Sequence, residues 1–333
     1  MTKVCIQCLT YNQSLFITDA MNGFTVQQTD FPYVAVIVDD ASTDGEQEVI
    51  RNYVDGYFNN SPELGFKDWE TEDAFWTFAQ HKENKNCHFV VVYLKQNLFR
   101  NPDKKAEVIK DWCNAKYIAL CEGDDYWTDP LKLQKQVDIL EKDESLMAVV
   151  TNSKVVDMNG ADMRPKQDNV VPNNEEGRYD LRSFMYKVHH YPTATVCYRK
   201  THVEEIERMT KHMANPYLGD WTMWIALHII GDFYYLDQVT AAYRINLMSV
   251  THTCDRVGRA KAHWTICKSV QDILPDEYED IRKSLDQKSW MWRELALAYK
   301  HEHQYLRMIW CAFIAFLKDP EETWESFVKK KIA

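Results

Sequence analysis

Over residues 1–120 the chain alternates short, nearly uninterrupted apolar runs with stretches of helical periodicity. Residues 4–9, 34–39, 89–94 and 117–121 are rich in β-branched and aromatic side chains and read as strands. They show little in–out alternation, the pattern of strands covered on both faces, as in a parallel sheet. Between the first two, Phe16, Ala20, Gly23 and Phe24 fall on one face of an amphipathic helix. Strand alternating with helix predicts an α/β architecture. Residues 55–86 are polar and aromatic by turns and break the rhythm, so they are expected as an insertion on the surface.

Asp129-Pro130 marks a helix start, with Asp as N-cap and Pro at the first helical position. Leu133, Val137 and Leu140 follow on one face. Residues 147–156, 193–198 and 233–243 read as further strands, now mixed with loops and one helix. After about residue 255 the strand pattern ends. Ile281, Leu285, Trp292, Leu295 and Tyr299 share one helical stripe; Leu306, Trp310, Phe313 and Leu317 share another, and Pro320 follows. The expected organisation is one domain over residues 1–252 and a helical module, an antiparallel hairpin, over 253–333.

Length and charge narrow the functional classes. The 333 residues fit about two domains. Asp and Glu number 50 against 39 Lys and Arg, a net charge of −11, which argues against nucleic acid as a partner because a duplex binder needs a basic face. Met1-Thr2-Lys3 leads straight into a strand-like segment, with no signal-peptide pattern. The longest apolar run, residues 308–317, is half of the about 20 residues a bilayer crossing needs. Nine scattered cysteines, an odd number, read as reduced thiols of a cytoplasmic protein. Cys5 and Cys8 are spaced like a metal or redox pair, yet on a strand they point to opposite faces, and no second pair has ligand spacing.

Three acidic clusters stand where chemistry is expected. Val38-Asp39-Asp40-Ala41-Ser42-Thr43-Asp44-Gly45 ends an apolar strand in two carboxylates and a turn. Open α/β sheets bind ligands beyond such strand ends, although ordinary loops use the same residues. Glu122-Gly123-Asp124-Asp125-Tyr126-Trp127 again ends a buried strand in acids. Adjacent carboxylates repel, and a hard divalent cation relieves that repulsion. Gly219-Asp220-Trp221 precedes a largely apolar stretch; Asp220 there is a helix cap or a general base, and the local sequence does not choose. At the end of the first strand, Tyr11 could stack on a base while Thr10 and Asn12 hydrogen-bond it, or Tyr11 could serve only as rim packing.

Taken in order, Thr10-Tyr11-Asn12, the Asp39-Asp40 cluster, Gly123-Asp124-Asp125-Tyr126-Trp127, Gly219-Asp220-Trp221 and a strand ending Tyr243-Arg244 resemble family 2 glycosyltransferases of the GT-A fold. The resemblance covers about residues 1–252, and bacterial enzymes that build surface polysaccharides are the most similar. It implies a nucleotide-sugar-binding α/β fold with a mixed, mostly parallel sheet, to which the helical C-terminal module is added. It implies a nucleotide-sugar donor, a uridine diphosphate sugar foremost, with Thr10, Tyr11 and Asn12 bordering base and ribose and Asp40 accepting from the base. Asp124 would lie nearer the ribose and diphosphate, Asp125 would be the direct ligand of a Mg²⁺ or Mn²⁺, and His252 is a candidate third ligand. Asp220 would deprotonate the hydroxyl of a saccharide or lipid-linked acceptor, inverting the anomeric centre.

The chain departs from the family pattern in two places. Leu9 replaces the usual Pro, and the basic residue that meets the diphosphate is left open among Arg100, Lys104, Lys105 and Lys110. The Gln-x-x-Arg-Trp signature of processive synthases is absent, so one sugar per encounter is expected. A sugar nucleotidyltransferase would want a Gly-rich loop after the first strand, and residues 10–15 have no Gly; a catalytically idle carbohydrate-binding protein would not need all three acidic clusters. Residues 308–317 and Lys329-Lys330-Lys331 raise peripheral contact with the inner face of a membrane, but packing of Trp310, Phe313 and Leu317 inside the protein is the favoured expectation.

Overall fold

A computed structural model describes residues 2–163, 175–188, 190–215, 217–246, 255–286, 289–321 and 323. In chain order β1 (Val4–Thr10), α1 (Ile17–Thr25), β2 (Tyr33–Asp39), α2 (Glu46–Tyr57), β3 (Lys67–Glu70), β4 (Ala74–Gln80), β5 (Cys87–Leu94), α3 (Pro102–Ile109) and β6 (Tyr117–Leu120) build the first half of an 11-stranded sheet. The second half is β7 (Tyr126–Trp127), α4 (Lys132–Lys142), β8 (Leu146–Val156), β9 (Gly177–Tyr179), the single turn α5 (Leu181–Ser183), β10 (Val196–Arg199) and β11 (Asp232–Arg244).

The centre of the sheet, β5-β2-β1-β6, is parallel, as is the pair β8/β11, and the other pairings are antiparallel. Every residue of β2 is buried, because helices cover both of its faces. Ile6, Ile37 and Phe89 enter the core beneath α1 and α2, whereas Cys5, Val36 and Val90 enter the core beneath α3. Each such side chain contributes about 1.5–3 kcal/mol on full burial. Cys5 and Cys8 fall in these two different cores, as their spacing predicts. The register pairs Thr10 with Asp39 and Asp39 with Tyr93, so β1, β2 and β5 end level with one another.

Two sequence expectations change. Residues 55–86 do not form a surface insertion: β3 and β4 extend the sheet beyond β5 as an antiparallel pair. Their alternation of aromatic and polar residues is that of sheet strands, with Trp69 and Phe78 packed 5.9 and 5.5 Å from Trp112 and Asp68 and Thr77 bonded on the opposite face. The helix expected from Asp129 begins at Lys132 instead, and Asp129 caps the preceding turn by accepting from Leu131 N–H at 2.8 Å.

The backbone clusters into two compact units, residues 1–203 with 230–246 and residues 204–229 with 247–333. The second unit contains α6 (Val203–His212) and α7 (Gly219–Ile230) apart from their end residues, followed by α8 (Arg256–Ile273), α9 (Glu279–Asp286), α10 (Ser289–His301) and α11 (Tyr305–Lys318). α10 and α11 form the expected hairpin around Leu295, Tyr299 and Cys311, while the first apolar stripe is shared between α9 and α10. No helix among the described residues is long and apolar enough to cross a membrane.

One buried charge in α4 has a measurable consequence. Lys132 Nζ donates to Gln136 Oε1 (2.8 Å) and Thr195 O (3.3 Å) and lies 5.2 Å from the Trp127 ring centroid. Burial pushes its ammonium down to about 8. Between there and the ordinary lysine value of about 10.4, the unfolded chain binds more protons than the folded one, so this group makes stability rise with pH. Below the folded value both states are protonated and the gain is absent. Urea unfolding at pH 7, 8, 9 and 10 should show the wild type gaining up to about 3 kcal/mol relative to Lys132→Met across this window; parallel curves would refute the assignment.

Candidate active site

Beyond the level ends of the parallel strands, three loops are tied together by buried polar groups. Asp40 N–H donates to Thr10 O at 3.0 Å, and Gly123 N–H to Leu9 O at 3.1 Å. Glu46, the first residue of α2, is buried at the centre of the first two loops. Its carboxylate accepts from Thr10 Oγ1, from Gln13 N–H at 2.9 Å and from Ser42 Oγ at 2.8 Å. Asn12, at φ 53°, receives Thr43 N–H on Oδ1 at 2.8 Å and donates its own N–H to Ser42 Oγ at 2.9 Å. Burial raises the Glu46 pKa, against the lowering effect of these donors, and each bond to the ionised carboxylate is worth about 1.5–3 kcal/mol.

The two carboxylates after β2 have separate surroundings. Asp39 is fully buried and held by Gln47 Nε2 at 2.6 Å and Ser42 N–H at 3.3 Å; burial raises its pKa. Asp40 accepts from Leu98 N–H at 2.6 Å on one oxygen and from Lys105 Nζ at 2.5 Å on the other. The fold thereby distinguishes the basic residues that the sequence left open. Lys105 is at Asp40, Lys104 pairs with Asp73, Lys110 pairs with Glu107, and Arg100 is exposed. A carboxylate offers about four lone-pair sites, so Asp40 keeps capacity for a further donor.

The turn after β6 carries the second pair. An added Cβ on Gly123 would come within 2.5 Å of Gln13 Oε1 and 2.7 Å of Thr10 Cβ, so only glycine lets this turn lie against the β1 loop. Asp124 accepts from Asn246 Nδ2 at 3.0 Å, and Asp125 accepts from Arg244 N–H at 2.8 Å. Arg244 also donates Nε to Asp124 O at 2.8 Å, a terminal nitrogen to Met158 O at 3.1 Å, and the other to Asp19 at 2.7 Å. Its guanidinium stacks 4.7 Å from Phe16 and 5.3 Å from Tyr126. Burial is the largest influence raising the pKa of both Asp124 and Asp125, and for Asp125 the neighbouring Asp124 and Glu122 add to it.

This donor set fits a hard divalent cation. Two adjacent carboxylates, costly to keep ionised in the fold, are the number of protein ligands that Mg²⁺ commonly takes when substrate phosphates complete its shell. No group of three His, Cys, Asp or Glu side chains with metal-holding geometry occurs among the described residues. His252 lies outside the described residues.

Thr10, Asn12, Asp40, Asp124 and Asp125 are thus brought together at one rim of the first unit, and Tyr11, 46% exposed, stands on the same loop. Asp220 belongs to the second unit, in the first turn of α7, where its Oδ1 accepts from Trp221 N–H at 2.8 Å. The cap of the turn ahead of it is Asn215, whose Oδ1 receives Tyr217 and Leu218 N–H. Glu46, Gln13 and Asn246 were not singled out from sequence. Only the buried placement of Glu46 at the start of α2, facing a loop 33 residues earlier, reveals its part.

No family model matches the chain. An uncharacterized protein of Mycobacterium tuberculosis (strain ATCC 25618 / H37Rv) is 26% identical over 248 residues, 74% of this chain, and one of Mycobacterium bovis matches equally. The chain spans 60% of the length of these curated relatives. Among solved structures, residues 1–349 of S. aureus TarS in complex with UDP-GlcNAc align with a TM-score of 0.63 at 16% identity, covering 96% of this chain and 82% of that one. The mannosyltransferase PcManGT from Pyrobaculum calidifontis, in complex with GDP-Man and Mn²⁺, aligns with a TM-score of 0.52 at 13% identity, covering 98% and 84%. At such identities the likeness is one of fold. The chain has the GT-A-type glycosyltransferase fold that its sequence motifs imply, with helices at its C-terminal end.

The close approach at Gly123 is testable by two alanine substitutions measured by urea unfolding. Gly123→Ala should destabilise the chain by about 1–3 kcal/mol through overpacking. Gly56→Ala, in α2 with no atom within 4 Å of the new Cβ, should be neutral or stabilising by up to about 1 kcal/mol.

Proposed function

We propose that the chain moves one sugar from a nucleotide diphosphate sugar, a uridine diphosphate sugar foremost, to a hydroxyl of a saccharide or lipid-linked acceptor, with inversion at the anomeric carbon. The observation that carries this reading is the gathering of Thr10, Asp40, Asp124 and Asp125 at the carboxyl ends of adjacent parallel strands. Open α/β sheets bind nucleotides at that location. The shared fold with TarS, solved with UDP-GlcNAc, supports it.

In this reading the base docks against the exposed ring of Tyr11, and Asp40 accepts from it with the lone pairs that Leu98 and Lys105 leave free. Lys105 pairs with Asp40 at 2.5 Å and offsets part of the repulsion that an acidic rim exerts on a diphosphate. Asp124 and Asp125 are the residues that would hold a divalent cation, oriented by Asn246 and by the backbone of Arg244. When bound, such a cation stabilises the negative charge that grows on the departing diphosphate. Asp220 is the base that takes the proton of the acceptor hydroxyl as attack proceeds from the face opposite the leaving group. A single base suffices, unlike the two carboxyls of glycosidases. The chemistry belongs to the cytoplasm or the inner face of a membrane, where nucleotide sugars are available.

Two measurements test this reading. Uridine diphosphate with Mn²⁺ should raise the unfolding temperature, and the same nucleotide with a chelator should leave it unchanged; equal stabilisation in both removes the cation from Asp124 and Asp125. Asp220→Asn should lower the rate of sugar transfer by about 10²–10⁴-fold while donor affinity stays within about twofold. Loss of donor binding or of the fold would make Asp220 a structural residue.

A further inference from the structure

α11 presents its side chains in the reverse of the usual order. The small and flexible residues Met308, Cys311, Ala312 and Ala315 face the rest of the second unit, with Cys311 and Ala315 buried. The bulky apolar residues expected to pack inward stand in solvent instead, Leu306 at 86% exposure and Trp310 at 61%. At 3.6 residues per turn they form an arc about 140° wide, from Tyr305 at one margin to Trp310 at the other. The arc includes Ile309, Phe313 and Leu317, and no polar side chain interrupts it. It continues into a groove of about 460 Å³ walled by Trp264, Trp292 and Tyr299.

Charge says what such a face suits. The only charged residues of α11 are Arg307 and Lys318, which fall about 60–80° beyond the Trp310 margin with Ile314 between, and Lys261 joins Arg307 at the groove. None of the three forms an ion pair among the described residues: Arg307 donates to Gln304 and lies 5.7 Å from the Tyr299 ring centroid. Carboxylates resume directly beyond the helix, at Asp319, Glu321 and Glu322. Pairing α11 with α11 of a second copy would bring like charges together with no acid on either helix to receive them. An anionic lipid surface supplies negative charge near both ends of the helix, where Arg307 and Lys318 stand, together with an apolar layer for the arc. We therefore propose that α11 is an interfacial helix that docks this chain on a bilayer of anionic phospholipid. The helix is about 21 Å long, enough to lie in the headgroup plane and too short to cross. Tyr305 and Trp310 are residue types favoured at that depth. The inference does not depend on sugar transfer.

Flotation of the full chain with vesicles tests it without any activity readout. Binding should be strong to phosphatidylcholine containing about one third phosphatidylglycerol, at least about tenfold weaker to phosphatidylcholine alone, and reduced by salt. Trp310→Ser with Phe313→Ser should lower partitioning at least about tenfold. Arg307→Glu with Lys318→Glu should remove the preference for anionic vesicles. All four side chains are solvent-exposed, and circular dichroism verifies that each variant is folded. Absence of flotation, or equal flotation of the folded Trp310/Phe313 variant, overturns the proposal. So does sedimentation showing a dimer that the same variant converts to a monomer, since the arc would then belong to a second copy.

Discussion

The turn after β6 can lie against the β1 loop only because residue 123 has no side chain. β1 and β6 are adjacent and parallel, so the loops that leave them compete for the same space, and Thr10 and Gln13 occupy the place where a Cβ on Gly123 would stand. This close approach is one of the ties that build the rim. It sets the two carboxylates after β6 beside the β1 loop, and Glu46 then bonds that loop to the one after β2. Arg244 closes the opposite side, fixing the turn through its backbone and side chain while its guanidinium is held between Phe16 and Tyr126.

The rim gathers acid in a chain that is already acidic. Asp39, Asp40, Glu46 and Asp125 are all buried, and two cations, Lys105 and Arg244, reach into the same region. Most of the balance comes from N–H and hydroxyl donors whose positions are set by backbone turns. Dipoles fixed by the fold can keep several carboxylates close together without needing an equal number of positive side chains. The result is a closely hydrogen-bonded, acid-rich rim at the carboxyl ends of the strands.

Much of this was legible in the sequence where the signal is local. Uninterrupted apolar runs such as those of β2 and β5 identify buried strands, and acids at their ends identify the rim. The signals that failed depend on partners distant in the chain. Glu46 reads as an ordinary first-turn acid until its loop partners are known, and Lys105 is equivalent to Lys104 until the fold sends one to Asp40 and the other to Asp73. Alternation in β3 and β4 reads as a surface insertion from sequence because short strands interrupted by a turn give few repeats. In α11 the periodicity was right and its direction was not: a hydrophobic period shows that a helix has two faces, while the size of the residues facing α10 decides which one turns inward.

The outermost strands of the sheet bear on a different matter, the solubility of so wide a sheet. A sheet of this width ordinarily offers two long rows of unpaired backbone groups as templates for another chain. Here one border is β3, four residues long with Lys67, Asp68 and Glu70 among them. The other is β7, two residues long, and β9, which lies off the main order, has three. Each offers too few backbone groups to nucleate pairing, and β3 adds charge that an incoming strand would have to desolvate. A domain committed to eleven strands thus ends on borders that discourage fibre growth.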